Sequence, residues 1–82
     1  MLSASKKKKV DYEALNSPFM RIPHMKVEGA RALLDLKFKE IYELKGRAPE
    51  AMFDDLSKIR LKADKSILPL FVLAVNFAEN QE

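Results

Sequence analysis

The feature that most limits the fold is an apolar run near the C-terminus, Ile67 to Ala78, broken only by Pro69 and Asn76. A helix over this run is apolar nearly all round, so several neighbours must cover it. A membrane span needs roughly twenty apolar residues, and about a dozen fall well short. The run therefore predicts the central buried helix of a small domain. Asp64 is placed to cap it, with the helix running from Lys65 to about Glu79. Pro69 then falls at about the fifth residue, which predicts a bend or an irregular first turn.

Punctuation divides the rest of the chain into short helices. Pro49 opens a helix to about Ile59, with Met52, Leu56 and Ile59 at i, i+4 and i+7 and Phe53 beside them. Glu50, Asp54 and Asp55 sit toward its start, where the helix dipole favours acids. Further upstream, Val10 to Asn16 makes a short helical segment with Tyr12 and Leu15 as apolar contacts. Ser17-Pro18 starts a helix to Ile22, and Pro23 stops it. After a tight connection at residues 24 to 26, a helix spans Val27 to Leu36, with Val27, Ala30, Leu33 and Leu34 on one face. Phe38 and Ile41 reach back to the core. Glu40 to Leu44 forms a further short helix, and Gly46 punctuates its end. No β-alternation of useful length and no internal repeat appears. The expectation is an all-α domain of about five short helices over residues 10–82, preceded by a flexible basic arm at residues 1–9.

Composition narrows the chemistry. With no cysteine among 82 residues there is no disulfide, thiolate metal site or thiol nucleophile. Two isolated glycines, Gly29 and Gly46, cannot form a phosphate-binding Gly-rich loop. A single histidine, His24, rules out a zinc-type histidine pair, and no orienting carboxylate or nucleophile accompanies it. Glu50 and Asp54 share a helix face, but without a further ligand pattern they read as dipole-complementing charge. Neither an enzyme nor a cofactor is expected, nor a small-molecule substrate. No signal-peptide apolar region follows the lysines at 6 to 9, so the chain reads as soluble and cytoplasmic.

The stretch Ile22 to Leu44, IPHMKVEGARALLDLKFKEIYEL, carries the most information. It resembles the helix-hairpin-helix motif, L-P-G-I-G-x-x-x-A-x-x-L followed by L-G-I and a terminal D-L. Ile22, Pro23, Met25, Ala30, Leu33, Leu36, Phe38, Ile41 and Leu44 fall on its apolar and punctuation positions. Beyond the motif, Lys45 to Leu56 reads K-G-R-x-P-E-x-h-[FY]-x-x-L, and Asp64 to Ala78 reads D-x-x-h-L-x-x-F-x-x-A-V-x-F-A. Together these resemble the bacterial "pathogenicity locus" family, some members of which are linked to mitomycin resistance. The resemblance, over roughly Leu15 to Ala78, implies a SAM-domain-like helical fold and a role in DNA binding.

In the motif, hairpin glycines permit a tight turn and let backbone N–H groups reach a phosphate, helped by the positive end of the next helix. Such contacts fix position on the DNA backbone and carry little sequence information. Here His24 and Lys26 stand at the two hairpin glycines and Lys37 at the later one. Each costs about 1–2 kcal/mol if left-handed geometry is retained. The expected function is a noncatalytic module that binds DNA nonspecifically. The backbone at residues 24 to 28 approaches the strand, and His24, Lys26, Arg31, Lys37 and Lys39, with Lys6, Lys7, Lys8 and Lys9 of the arm, contact phosphate. Two alternatives stand beside it. The hairpin can serve as a structural corner alone, with the lysine arm merely solvated. The same scaffold can instead bind a protein partner or a second copy of itself, with Leu70, Val72 and Leu73 offering the surface.

Bulk charge does not choose between them. The net charge is +3 and the pI about 9.3. Removing the four-lysine run from the fifteen Lys and Arg leaves eleven against twelve Asp and Glu, a net of −1 over residues 10–82.

Overall fold

The computed structural model describes residues 10–80. The lysines at 6 to 9 lie outside the described residues. The described residues are all-helical: four α-helices, α1 (Tyr12–Leu15), α2 (Val27–Asp35), α3 (Pro49–Ile59) and α4 (Ile67–Glu79), are joined by two 3₁₀ turns, Pro18–Arg21 and Ile41–Leu44. Among the described residues there is no strand. The expectation of about five short helices is corrected to this count. Two of the expected helical segments close with i→i+3 bonds instead, such as the 3.1 Å bond from the Glu43 N–H to the Glu40 carbonyl.

Helix α4 is the element on which the others converge, touching α2, α3 and the second 3₁₀ turn. Ile67, Leu70, Phe71, Ala74, Val75 and Ala78 are its buried positions. It is not covered all round, because Pro69, Val72 and Asn76 face solvent and Leu73 and Phe77 are half-buried. Three packed neighbours cannot enclose a whole cylinder.

The helix starts at Ile67, two residues later than expected, and that shift removes the problem of Pro69. The proline becomes the third helical residue, a position whose N–H would have no intrahelical partner, so proline's lack of one costs nothing there. Asp64 does shape the entry, by accepting the Ser66 N–H at 2.9 Å. That bond holds the Asp64 carboxyl below its ordinary value.

Helix α3 spans the expected residues and buries Met52 and Leu56, with Phe53 half-buried. Ile59 was expected on the same face but is 58 % exposed, since the helix ends there and its last turn projects past the core. In α1 the expected contacts are exchanged. Tyr12 and Leu15 are exposed, and Ala14 is the buried residue. A single turn aims one narrow face inward, and that face carries alanine. Phe19 and Ile22 of the next segment are both buried, as their i, i+3 spacing implies.

Gly29 has a packing role that the pattern of apolar residues does not reveal. A Cβ at this position would stand 2.7 Å from Met25 Sδ, 2.9 Å from Leu70 Cδ1 and 3.0 Å from Leu70 Cβ. Helices α2 and α4 therefore approach one another too closely for any side chain at the crossing. Met25 could swing aside, but Leu70 Cβ is fixed to its own backbone. Gly29→Ala should destabilise the protein by about 1–3 kcal/mol, through overpacking that outweighs alanine's better helix propensity. The check is a urea denaturation midpoint that falls while the slope is unchanged.

Candidate nucleic-acid interface

Two backbone corners flank α2, one at each end. The first is a four-residue turn from Ile22 to Met25, closed by a 3.1 Å bond from the Met25 N–H to the Ile22 carbonyl. Pro23 occupies its second position, and His24, at φ 70°, its third. This is the sequence and backbone logic of a type II turn, in which the third residue must be left-handed. Lys26 is extended, at φ −109° and ψ 157°, and serves as N-cap of α2 without a side-chain capping bond. His24 and Lys26 are both exposed. The α2 N-terminus thus presents backbone N–H groups that no capping side chain covers, beside an exposed imidazole and an exposed ammonium.

The second corner closes α2. The Lys37 N–H bonds to the Leu34 carbonyl at 2.9 Å, and the Phe38 N–H to the Leu33 carbonyl at 3.1 Å. Those two bonds define a Schellman motif, and Lys37 occupies its left-handed position at φ 76°. Of the three places where the motif has glycine, two therefore retain left-handed backbone, at His24 and Lys37, while Lys26 does not.

The expected phosphate ligands do not form one cluster. His24 and Lys26 precede α2, whereas Lys37 and Lys39 follow it. Nine helical residues separate the pairs, a rise of roughly 14 Å. Arg31 faces inward to other groups. Its Nε and Nη2 donate to the two Asp11 carboxylate oxygens at 2.7 Å each, Nη2 also to Glu13 Oε1 at 2.9 Å, and Nη1 to Asp35 Oδ1 at 3.3 Å. Arg60 Nη2 extends the network to Asp35 Oδ2 at 2.7 Å. This bidentate arrangement ties α1 to α2, and Asp35 passes the link to the end of α3. The Asp11 carboxyl is lowered from 3.8 to about 2, chiefly by the Arg31 hydrogen bonds and then by the Ala14 N–H it accepts. The Arg31 guanidinium is held still more firmly in its charged form, by Asp11 first and Glu13 second.

Beside this network lies an open cleft of about 570 Å³, with Lys37, Lys39, Arg31 and Arg60 among its cations and Leu34 and Ile59 among its apolar groups. Arg60, just past the expected end of α3, was not among the expected site residues. The i, i+4 spacing of Arg31 and Asp35 signals one of its bonds, but nothing local signals Asp11, twenty residues away. Glu50, Asp54 and Asp55 are all exposed, and no group of three potential metal ligands occurs among the described residues. Nor is any described helix long and apolar enough to cross a membrane.

The family described as "Pathogenicity locus" matches residues 13–82, which take in all but the first residue of α1, the whole of α2 to α4 and both corners. The chain belongs to that family. No curated protein and no solved structure shows significant similarity to the chain.

Two measurements test that geometry. Asp11 is held below its unfolded value, so its contribution to stability is fully present above pH 3.8 and is lost as pH falls through about 2. The melting temperature of the wild-type protein should drop more steeply than that of Asp11→Asn across this window. Lys37→Gly should raise stability by about 1 kcal/mol in a denaturant titration, because glycine relieves the left-handed strain.

Proposed function

We propose that the protein is a noncatalytic nucleic-acid-binding module that contacts the sugar-phosphate backbone without reading sequence. Its scaffold is a degenerate helix-hairpin-helix of the SAM-like type. The observation that carries this reading is the left-handed backbone at His24 and Lys37. Both positions correspond to motif glycines, and neither residue is the economical choice for such a turn. Pro23 and the closing bond from Met25 to Ile22 support the hairpin at the first of them. The second helix of the motif is reduced here to the 3₁₀ turn Ile41–Leu44.

In this proposal a phosphate oxygen accepts hydrogen bonds from the first backbone N–H groups of α2, in place of a capping side chain. Lys26 adds charge at the same point, and His24 donates from the turn. Lys37 and Lys39 take a second phosphate at the far end of α2. Arg31 belongs to the scaffold in this reading, since its nitrogens already donate to Asp11, Glu13 and Asp35. Lys6 to Lys9 add nonspecific attraction. Glu28, in the first turn of α2, opposes an anion there and limits the affinity.

Protein association is the second reading, and Val72 and Ile59 favour it. Both are large apolar residues left exposed, at 38 % and 58 %. Leu70 is no longer available to such a surface, because it is buried against α2.

Fluorescence anisotropy with a labelled DNA at low salt decides between them. Binding should weaken steeply with salt, and Lys26→Glu should lower the slope of log K against log salt by about one. An unchanged anisotropy at protein concentrations on the order of tens of micromolar would overturn the proposal, since nonspecific binders saturate in that range at low salt.

A further inference from the structure

The second 3₁₀ turn carries a feature that phosphate binding alone leaves unused. In 3₁₀ geometry, residues three apart lie on one side of the turn. Ile41 and Leu44 form the inner side, with Leu44 fully buried and Ile41 packed against the core. The outer side then holds Tyr42 and Lys45, and Lys39 lies three residues before Tyr42. Tyr42 is 69 % exposed, and Lys39 and Lys45 are exposed as well.

The turn that presents this ring is fastened at both ends. Glu40 and Glu43 form a reciprocal capping box, in which Glu43 also accepts the Lys39 N–H. These backbone bonds hold the Glu43 carboxyl below its ordinary value. Downstream, Lys45 has φ −61° and ψ 134°, Gly46 has φ 77°, and the Arg47 N–H bonds to the Leu44 carbonyl at 3.1 Å. This second type II turn is pinned to the end of α4 by a bond from the Gly46 N–H to Glu79. Arg47 lies over the Phe38 ring, 5.3 Å from its centroid, which ties the two ends of the segment together.

Residues 37 to 47 thus carry Lys37, Lys39, Lys45 and Arg47, all exposed, against Glu40 and Glu43. Both acids accept hydrogen bonds from the turn's own backbone, while the cations flank the solvent-facing Tyr42 on both sides along the chain.

We propose that this segment is a platform for an unpaired nucleotide, with Tyr42 stacking on the base and Lys39 and Lys45 contacting the flanking phosphates. The inference rests on the nucleic-acid reading above and sharpens it toward single strands. A phosphate contact serves duplex and single strand alike. A base face is available to a protruding ring only where the base is neither paired nor stacked on both sides. Rigidity matters here, because a turn whose backbone is already fastened loses little freedom when its ring stacks.

The test compares a labelled oligothymidine with a duplex of equal length, at one salt concentration, by anisotropy. The wild-type protein should bind the single strand more tightly. Tyr42→Ala should weaken single-strand binding about five- to a hundredfold, the range for loss of one base–aromatic stack, with little change for the duplex. Tyr42→Phe keeps the ring and should stay within about twofold of wild type. Tyr42 is exposed, so both variants should keep the wild-type melting temperature. Equal binding of Tyr42→Ala and wild type to the single strand, or a wild-type preference for duplex, would overturn this proposal. Lys26→Glu separates it from the broader one. If that variant leaves binding to both forms unchanged while Tyr42→Ala weakens the single strand, the hairpin reading fails and the platform stands. Absence of wild-type binding to either form overturns both.

Discussion

The close approach of α2 to α4 at Gly29 is the constraint from which the remaining packing follows. With no Cβ in the way, Leu70 and Met25 fill the space above the glycine, and α4 sits against the inner face of α2. Ala30 and Leu33 on that face are fully buried. From this position α4 also meets α3 and the second 3₁₀ turn, so one helix organises a core too small to have a second centre. The entry angle of α2 depends on the same spot. Met25 closes the hairpin turn through its backbone and packs over Gly29 through its sulfur.

Outside the core, the principal fastening is ionic. Arg31 joins α1 to α2 through Asp11, and Asp35 carries the connection to Arg60. These side chains are partly exposed, so the net stabilisation is modest compared with that of a buried apolar contact. Its effect is chiefly geometric. A one-turn α1 that buries only Ala14 could not hold its place by apolar contact alone. The network also removes Arg31 from the cations that face outward, whereas the lysines at the two ends of α2 stay exposed. A domain with a net charge near zero can still present local positive corners in this way.

Much of this was legible in the chain. Pro49 marked the start of α3, Pro23 the end of the first 3₁₀ segment, and the i, i+3 pair Phe19–Ile22 reported an inward face. Each of these signals acts within a few residues, where backbone sterics and helical period leave little choice. The motif's glycine positions were legible too, although the conformation of their substitutes was not. His24 and Lys37 remain left-handed because bonds from Met25 to Ile22 and from Phe38 to Leu33 close the turns around them. Two causes lie behind the failures. Tyr12 and Leu15 lie off the one narrow face that α1 turns inward, and Ile59 lies where α3 projects past the core. Periodicity says which residues share a face, and it does not say how far the neighbouring element reaches.

By itself, then, the sequence determined an all-helical chain, a C-terminal helix needing several partners, family membership, and two corners flanking α2. These follow from local sterics and from the hydrophobic period. Only the tertiary structure decided that Gly29 is a contact point, that Arg31 turns inward to Asp11, and that Tyr42 stands on a braced turn between lysines. Each of those outcomes depends on groups that are distant along the chain or on the packing of a whole face. Apolar burial is non-directional, so a linear pattern leaves such choices open until the elements have docked.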